Sequence, residues 1–273
     1  PDSSVRFTDD ALLKIIRNHT LEPGVRELER QIGRVCRKLA LAAASVDGAG
    51  GDSGAPREID APAVRALLGP GVEYLTEIRE RARLPGVAIA LAAMPGGGLG
   101  DVLFVEASAM PGGKGFNVTG KLGDVARESA FAAFSYVRAQ SAAFGLPAGF
   151  FDRHDIHLHL PAGAQPKDGP SAGVAMVAAL VSLVSGLPLK PNVALTGEIT
   201  LRGQVLSVSG VKEKVLAAHR VGLDTVILPR VDAPQLEAIP PDLARAMQFV
   251  LVDNVAQALA AALSPPGEVN EEG

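Results

Sequence analysis

Two side chains in this 273-residue chain have the types and setting of a reacting pair for acyl transfer. They are Ser171 in PKDGPSAG (166–173) and Lys214 in GVKEKVLAAHR (210–220). Asp168-Gly169-Pro170 makes a tight turn, after which Ser171 opens an apolar helix expected over about 171–184. A serine in that place stands beside free backbone N–H groups and the positive end of the helix dipole. Such donors stabilise an oxyanion as it forms. The position is equally that of an ordinary N-cap, the commoner role of a serine ahead of a helix. A serine nucleophile needs a base. Asp155, His157, His159 and Asp168 permit a Ser-His-Asp reading, with both imidazoles on one face of a strand. Lys214 is the other candidate. It follows Val211 by three residues and precedes Ala218 by four, at the edge of an apolar stripe, with Lys212 further round and Glu213 opposite. A lysine partly removed from water is harder to charge, so its pKa falls and it can act as a base near neutrality. The competing reading leaves its head in water above a buried stem. His157 and His159 would also suit a metal, but the sequence places no third ligand beside them.

The elements that must position these residues fall into two stretches. In the first, Thr8 is the expected N-cap of a helix with Asp9 and Asp10 in its first turn. Pro23 can open a second helix, in which Val25, Leu28, Ile32, Val35 and Leu39 form one apolar stripe. A Gly-, Asp- and Ser-rich loop (46–57) follows, then a short helix after Asp60 that ends before Gly69-Pro70. From residue 70 the pattern alternates. Strands are expected at 87–93 and 102–107, joined through Pro95-Gly96-Gly97-Gly98, and a long helix over 122–144. Ile156, Leu158 and Leu160 alternate with the two histidines. Beyond the Ser171 helix come a strand at 193–196, a hairpin around Arg202-Gly203 and a helix at 211–220. Strands at 225–228 and 249–252 and a helix to Leu263 complete the pattern. These elements make an α/β domain behind a small helical one, with an acidic tail after Pro265 expected to be disordered.

Composition narrows the function classes. The chain is 47% hydrophobic but 4% aromatic and lacks Trp, so its core is built from Ala, Val, Leu and Ile. A net charge of −4 without a long run of one sign gives no footprint for nucleic acid. The single cysteine, Cys36, excludes an internal disulfide framework, fits a reducing compartment and is expected as buried filler. The apolar run 172–184 is broken by Ser182 and too short to cross a bilayer. With no signal-peptide pattern, the expectation is a cytoplasmic protein without a membrane segment. The first residue, Pro1 rather than Met, is what a piece of something longer would show.

Longer motifs add a resemblance. PKDGPSAG, followed by TGEITLRGQVLSVSGVKEKVLAAHRVG (196–222), is similar to the signature of Lon-type ATP-dependent proteases, in which serine and lysine stand 43 residues apart as they do here. VTGKLGDVARESAFAAFSYVRA (118–139) resembles an earlier stretch of the family's protease domain. LEPGVRELERQIGRVCRKLA (21–40) resembles the helical subdomain that ends its AAA+ ATPase module. The resemblance implies an α/β (α+β) Lon protease-type domain at 70–266, preceded by an all-α AAA+ helical subdomain at 1–69 and followed by the tail 267–273. It implies a Ser–Lys endopeptidase acting on unfolded or damaged polypeptides. Ser171 would be the nucleophile and Lys214 the base, held in place by Thr196. Asp168, Glu198, His157, His159 and Arg202 match positions near the family's site, and Asp168 would block it in a resting state.

Arg26 matches the family's sensor arginine, which contacts ATP phosphates. The sequence has no G-x-x-x-x-G-K-[ST] loop, and GGKGFN (112–117) has the wrong pattern, so no ATP hydrolysis by this chain is expected. Peptide hydrolysis would need no cofactor, whereas ATP and Mg²⁺ would serve the full-length enzyme, a homo-hexamer. The chain departs from the family in lacking a Trp near Ala92-Ala93-Met94, in its Gly-rich 95–100 loop and in the 46–57 loop. Two other readings stand beside this one: a non-catalytic ring-assembly module of the same fold, and a hydrolase using His157 or His159 as base.

Overall fold

Thr8 and Asp60 cap the two helices that their sequence positions suggest. The computed structural model describes residues 5–20, 24–46, 58–71, 78, 80–93, 100–113, 115–161 and 168–265. Pro23, the loop at 47–57, the Pro95–Gly98 connection, Pro166-Lys167 and the tail beyond Pro265 lie outside them. The chain divides into one unit at Pro1–Tyr74 and another at Leu75–Gly273.

In the first unit β1 (Arg6–Phe7) leads to α1 (Asp9–His19), where Thr8 Oγ1 accepts a hydrogen bond from the Ala11 N–H at 3.2 Å. Helix α2 spans Arg26–Val46. Its stripe buries Val35 and Leu39, with Leu28 and Ile32 packed alongside, whereas Val25 stands before the helix and is exposed. Cys36 is half-buried rather than buried. A two-residue strand, β2 (Glu58–Ile59), pairs in parallel with β1, an element too short to read from sequence. In α3 (Ala61–Leu68) Asp60 Oδ1 accepts from the Ala63 N–H at 2.8 Å. Ala11, Ile15, Val35, Leu39, Ile59 and Val64 form the core.

In the second unit helical residues at 80–82 precede β3 (Val87–Ala93), which is buried from Val87 to Leu91 and therefore needs cover on both faces. The unit continues through β4 (Gly100–Pro111), β5 (Phe116–Thr119), α4 (Asp124–Ala139), α5 (Phe150–Arg153) and β6 (His154–His159). Helix α4 is shorter than the expected 122–144. Gly120 and Lys121 take positive φ and delay its start, and a series of turns from Gln140 to Gly145 replaces its last part. A 3-10 turn (Pro170–Ala172) precedes α6 (Gly173–Ser185). Then come β7 (Val193–Leu195), the hairpin of β8 (Glu198–Ile199) and β9 (Val205–Leu206), and α7 (Val211–Arg220). Next are β10 (Thr225–Pro229), a 3-10 segment (Arg230–Ala238), α8 (Pro241–Ala246), β11 (Gln248–Val252) and α9 (Val255–Ala262).

Seven strands form one sheet in the order β11-β10-β7-β3-β4-β6-β5. The β11-β10-β7-β3 half is parallel, while β4 runs antiparallel to both β3 and β6. Ala88 and Ala90 point to one face and pack in the main core with α6. Successive side chains of a strand alternate, so Ile89, Leu91 and Ala93 point to the other, where α7 lies. A Cβ on Gly210, the residue before α7, would meet Ala93 Cβ at 2.5 Å. Helix α6 is apolar all round, the pattern of a fully enclosed helix. Its one polar residue facing the core, Ser182, is satisfied: Oγ accepts from the Gly86 N–H at 3.0 Å and donates to the Leu187 carbonyl at 2.5 Å. Among the described residues no helix is long and apolar enough to cross a membrane.

Candidate active site

Open α/β sheets place their sites at the carboxyl ends of the parallel strands. Here β7 ends at Leu195, opposite Ala90 in the middle of β3, which runs on to Ala93. Ser171 approaches this corner from the α6 face. The expected helix start at Ser171 is corrected: the α-helix proper begins at Gly173, and its N-cap is Ala172, without a side-chain bond. Ser171 sits in the middle of the 3-10 turn and is half-buried, so the N-cap reading does not describe it. Among the described residues its Oγ has no hydrogen-bond partner. Its backbone, by contrast, is pinned. The Ser171 carbonyl accepts from the Gly197 N–H at 2.8 Å and from Thr196 Oγ1 at 3.3 Å, and the Val174 N–H donates to the Gly197 carbonyl at 3.1 Å. The resemblance assigns Thr196 to the lysine, but the hydroxyl fixes the serine's main chain instead. Thr196 is 1% exposed, directly after β7, and its N–H donates to the Ile227 carbonyl of β10 at 2.9 Å.

Lys214 lies on a helix that packs against β3 and β4 from the opposite face. Gly100, paired with Ala93, lets the α7 backbone come so close that a Cβ there would lie 2.1 Å from the Glu213 carbonyl oxygen and 3.0 Å from Lys214 N. The Lys214 side chain is 2% exposed and is the largest that the described part of the fold buries completely. Among the described residues its ammonium has no hydrogen bond or ion pair. Burial pushes its pKa down to about 8, and the negative charge of Asp232 partly opposes that fall. The snorkelling reading therefore does not hold. No direct hydrogen bond joins Ser171 to Lys214.

The remaining expected residues fall in several places. Asp168 is exposed, and its Oδ1 accepts from the Ala126 N–H at 3.2 Å, serving as a distant cap for α4. Gly123 makes room for it, since a Cβ there would lie 2.3 Å from the carboxyl carbon. Asp168 thus faces α4 and not Lys214. Glu198 lies on β8 and Arg202 in the exposed turn of the hairpin. His157 Nε2 and His159 Nδ1 both bond Thr119 Oγ1, at 2.8 and 2.6 Å. They stand on β6, two strands beyond β3, and neither reaches Ser171. Arg26 is the exposed first residue of α2 in the other unit. Among the described residues no group of three His, Cys, Asp or Glu side chains is arranged to hold a metal ion.

Two residues at the site escaped the sequence reading. Asp232 is a buried carboxylate acting on Lys214, and nothing in VDAPQ (231–235) sets it apart from a surface aspartate. Ser129 is buried on α4 and donates to the Pro170 carbonyl at 3.4 Å, a second anchor for the Ser171 turn. Its place in the apolar stripe of Ala126, Ala130 and Ala133 was the available signal.

With this geometry in hand, comparison with known proteins gives a consistent result. Residues 58–265 match the sequence model of the Lon protease (S16) C-terminal proteolytic domain, and residues 1–49 that of the Lon protease AAA+ ATPase lid domain. The chain is 47% identical over 273 residues to a Lon protease of Chloroflexus aurantiacus, covering 99% of this chain and 32% of that protein. It is 50% identical over 262 residues to one from Syntrophus aciditrophicus, covering 95% and 32%. Against Lon protease 2 of Myxococcus xanthus the identity is 45% over 262 residues, covering 96% and 31%. The chain spans about a third of the length of these curated relatives.

Proposed function

Because the chain belongs to the Lon protease family, we propose that it is the peptide-cleaving part of a serine endopeptidase in which Ser171 is the nucleophile and Lys214 the general base. The observation that supports this reading is a fully buried lysine, without a hydrogen bond or ion pair among the described residues and with its pKa pushed down to about 8, on a helix that packs against β3, the strand the Ser171 turn also packs against. At pH 7.5 such a group is neutral in roughly a quarter of molecules, against about one in a thousand at the ordinary lysine value.

The steps follow from that charge state. Neutral Lys214 takes the Ser171 hydroxyl proton as Oγ bonds to the peptide carbonyl carbon. The carbonyl π pair moves to oxygen, and the resulting oxyanion lies by the positive end of the 3-10 turn and α6. Collapse expels the amine, which leaves with the proton from Lys214, and an ester to Ser171 remains. Water then gives its proton to Lys214 and attacks the ester carbon. The second collapse releases the carboxylic acid product, and Ser171 recovers the proton. Thr196 and Gly197 keep the serine's carbonyl, and so its Oγ, in register throughout.

Substrates on this reading are unfolded or damaged polypeptides, and the setting is cytoplasmic protein quality control in a homo-hexamer. Hydrolysis itself uses no cofactor. The lid match supports coupling to ATP and Mg²⁺ in a longer protein, with Arg26 as a phosphate contact. The test is cleavage of an unstructured polypeptide without ATP, over a range of protein concentrations, by wild type, Ser171→Ala, Lys214→Ala and His157→Ala. Turnover is expected to survive only in wild type and His157→Ala, and to rise per chain with concentration. Turnover that persists in Lys214→Ala would remove the lysine from the mechanism.

A further inference from the structure

Asp232 is 2% exposed, and a carboxylate so enclosed is stable only when its oxygens are fully hydrogen-bonded. Its donors come mainly from one place. The Val208 N–H donates to Oδ2 at 2.8 Å and Ser207 Oγ donates to Oδ1 at 2.5 Å. Gln235 Nε2 donates to the same Oδ1 at 2.9 Å and also reaches the Val208 carbonyl at 3.3 Å. Ser207 and Val208 stand just before Gly210, whose φ of 69° starts α7, and no side chain caps that helix. The carboxylate therefore ties the segment after β10 to the turn from which α7 departs.

Its charge also reaches the helix. The elements packed against α7 carry Asp101 and Glu106 on β4, and Arg230, Asp232 and Glu237 on the 3-10 segment. Lys212, Glu213, His219 and Arg220 lie on α7 itself. Of these groups it is Asp232 whose negative charge opposes the fall of the Lys214 pKa.

We propose that Asp232 is a positioning residue for Lys214, its buried carboxylate clamping the 207–210 turn that delivers the lysine to the strand ends. The proposal rests on the Ser171–Lys214 reading. It has an electrostatic consequence as well as a geometric one. The carboxylate favours the ammonium form, so its removal makes Lys214 easier to deprotonate.

The test compares wild type, Asp232→Asn, Asp232→Ala and Lys214→Ala in the 273-residue chain. The rate at which a fluorophosphonate labels Ser171 is followed against pH, with thermal unfolding as a check of folding. Asn keeps an acceptor for the Val208 N–H and removes the charge, so the rising limb of its profile is expected at lower pH than in wild type. Ala loses the clamp too, and its plateau rate is expected to fall below that of Asn while the protein still unfolds cooperatively. A rising limb at the same pH in Asn and wild type, or an Ala plateau equal to that of Asn, would overturn the positioning role and leave the dyad intact. Labelling of wild type that is absent, or undiminished in Lys214→Ala, would overturn the dyad itself and the proposal with it.

Discussion

Lys214→Met should make the protein more stable at neutral pH while removing its activity. Methionine matches the length of the lysine stem and needs no water. The lysine pKa drops on folding from its ordinary value of 10.5 to about 8, so the unfolded chain holds the proton more tightly than the folded one. A lowered lysine pKa opposes folding fully below pH 8, is relieved as pH rises from 8 towards 10.5, and vanishes above that. Two and a half pKa units correspond to about 3 kcal/mol at pH 7 and roughly 1.4 kcal/mol at pH 9.5. The assay is calorimetric unfolding of wild type and Lys214→Met at both pH values. Met should raise the midpoint at pH 7, and the advantage should narrow by about half at pH 9.5. Equal stability at pH 7, or an advantage independent of pH, would mean that Lys214 keeps its proton and its solvation in the folded chain, and the argument for it as a base would fail.

Two further predictions concern the frame around the pair. Thr196→Val removes the hydroxyl that donates to the Ser171 carbonyl, and one such bond is worth about 1 kcal/mol. Ser171 labelling should slow about fivefold with little change in unfolding temperature, and an unchanged rate would show that Gly197 alone suffices to hold the serine. Ser182→Ala leaves the buried Gly86 N–H and the Leu187 carbonyl without their partner. A loss of about 1–3 kcal/mol is expected in denaturant unfolding, and wild-type stability would show that another group satisfies them.

Local chemistry was legible in the sequence wherever a few neighbouring residues decide the outcome. Thr8 and Asp60 announce helix starts because a cap needs only its own side chain and the next three residues. The alternation of Ile156 and Leu158 with the histidines fixed which face of β6 is buried. Legibility ended where distant chain segments meet. Ser171 and Lys214 were both visible, but the 3-10 turn around the serine is held by Thr196, Gly197 and Ser129, from two other elements. Asp168 stands beside Ser171 in sequence yet spends its carboxylate on α4. The histidines look available to a nucleophile until Thr119 of β5 is seen to bind both. Asp232 has no local signature, because its burial is created by the turn before α7.

Helix α6 is enclosed along nearly its whole length, and the serine turn continues directly into it. Ser171 therefore stands at the tip of a helix that is enclosed on nearly every side. Ala178 and Ala179 are both completely buried, so enlarging either would force its neighbours and the helix backbone to shift. A larger side chain there would displace the turn that carries Ser171 as well as lower stability. The small side chains of α6 thus help to set where Ser171 sits, although they lie in the interior of the domain.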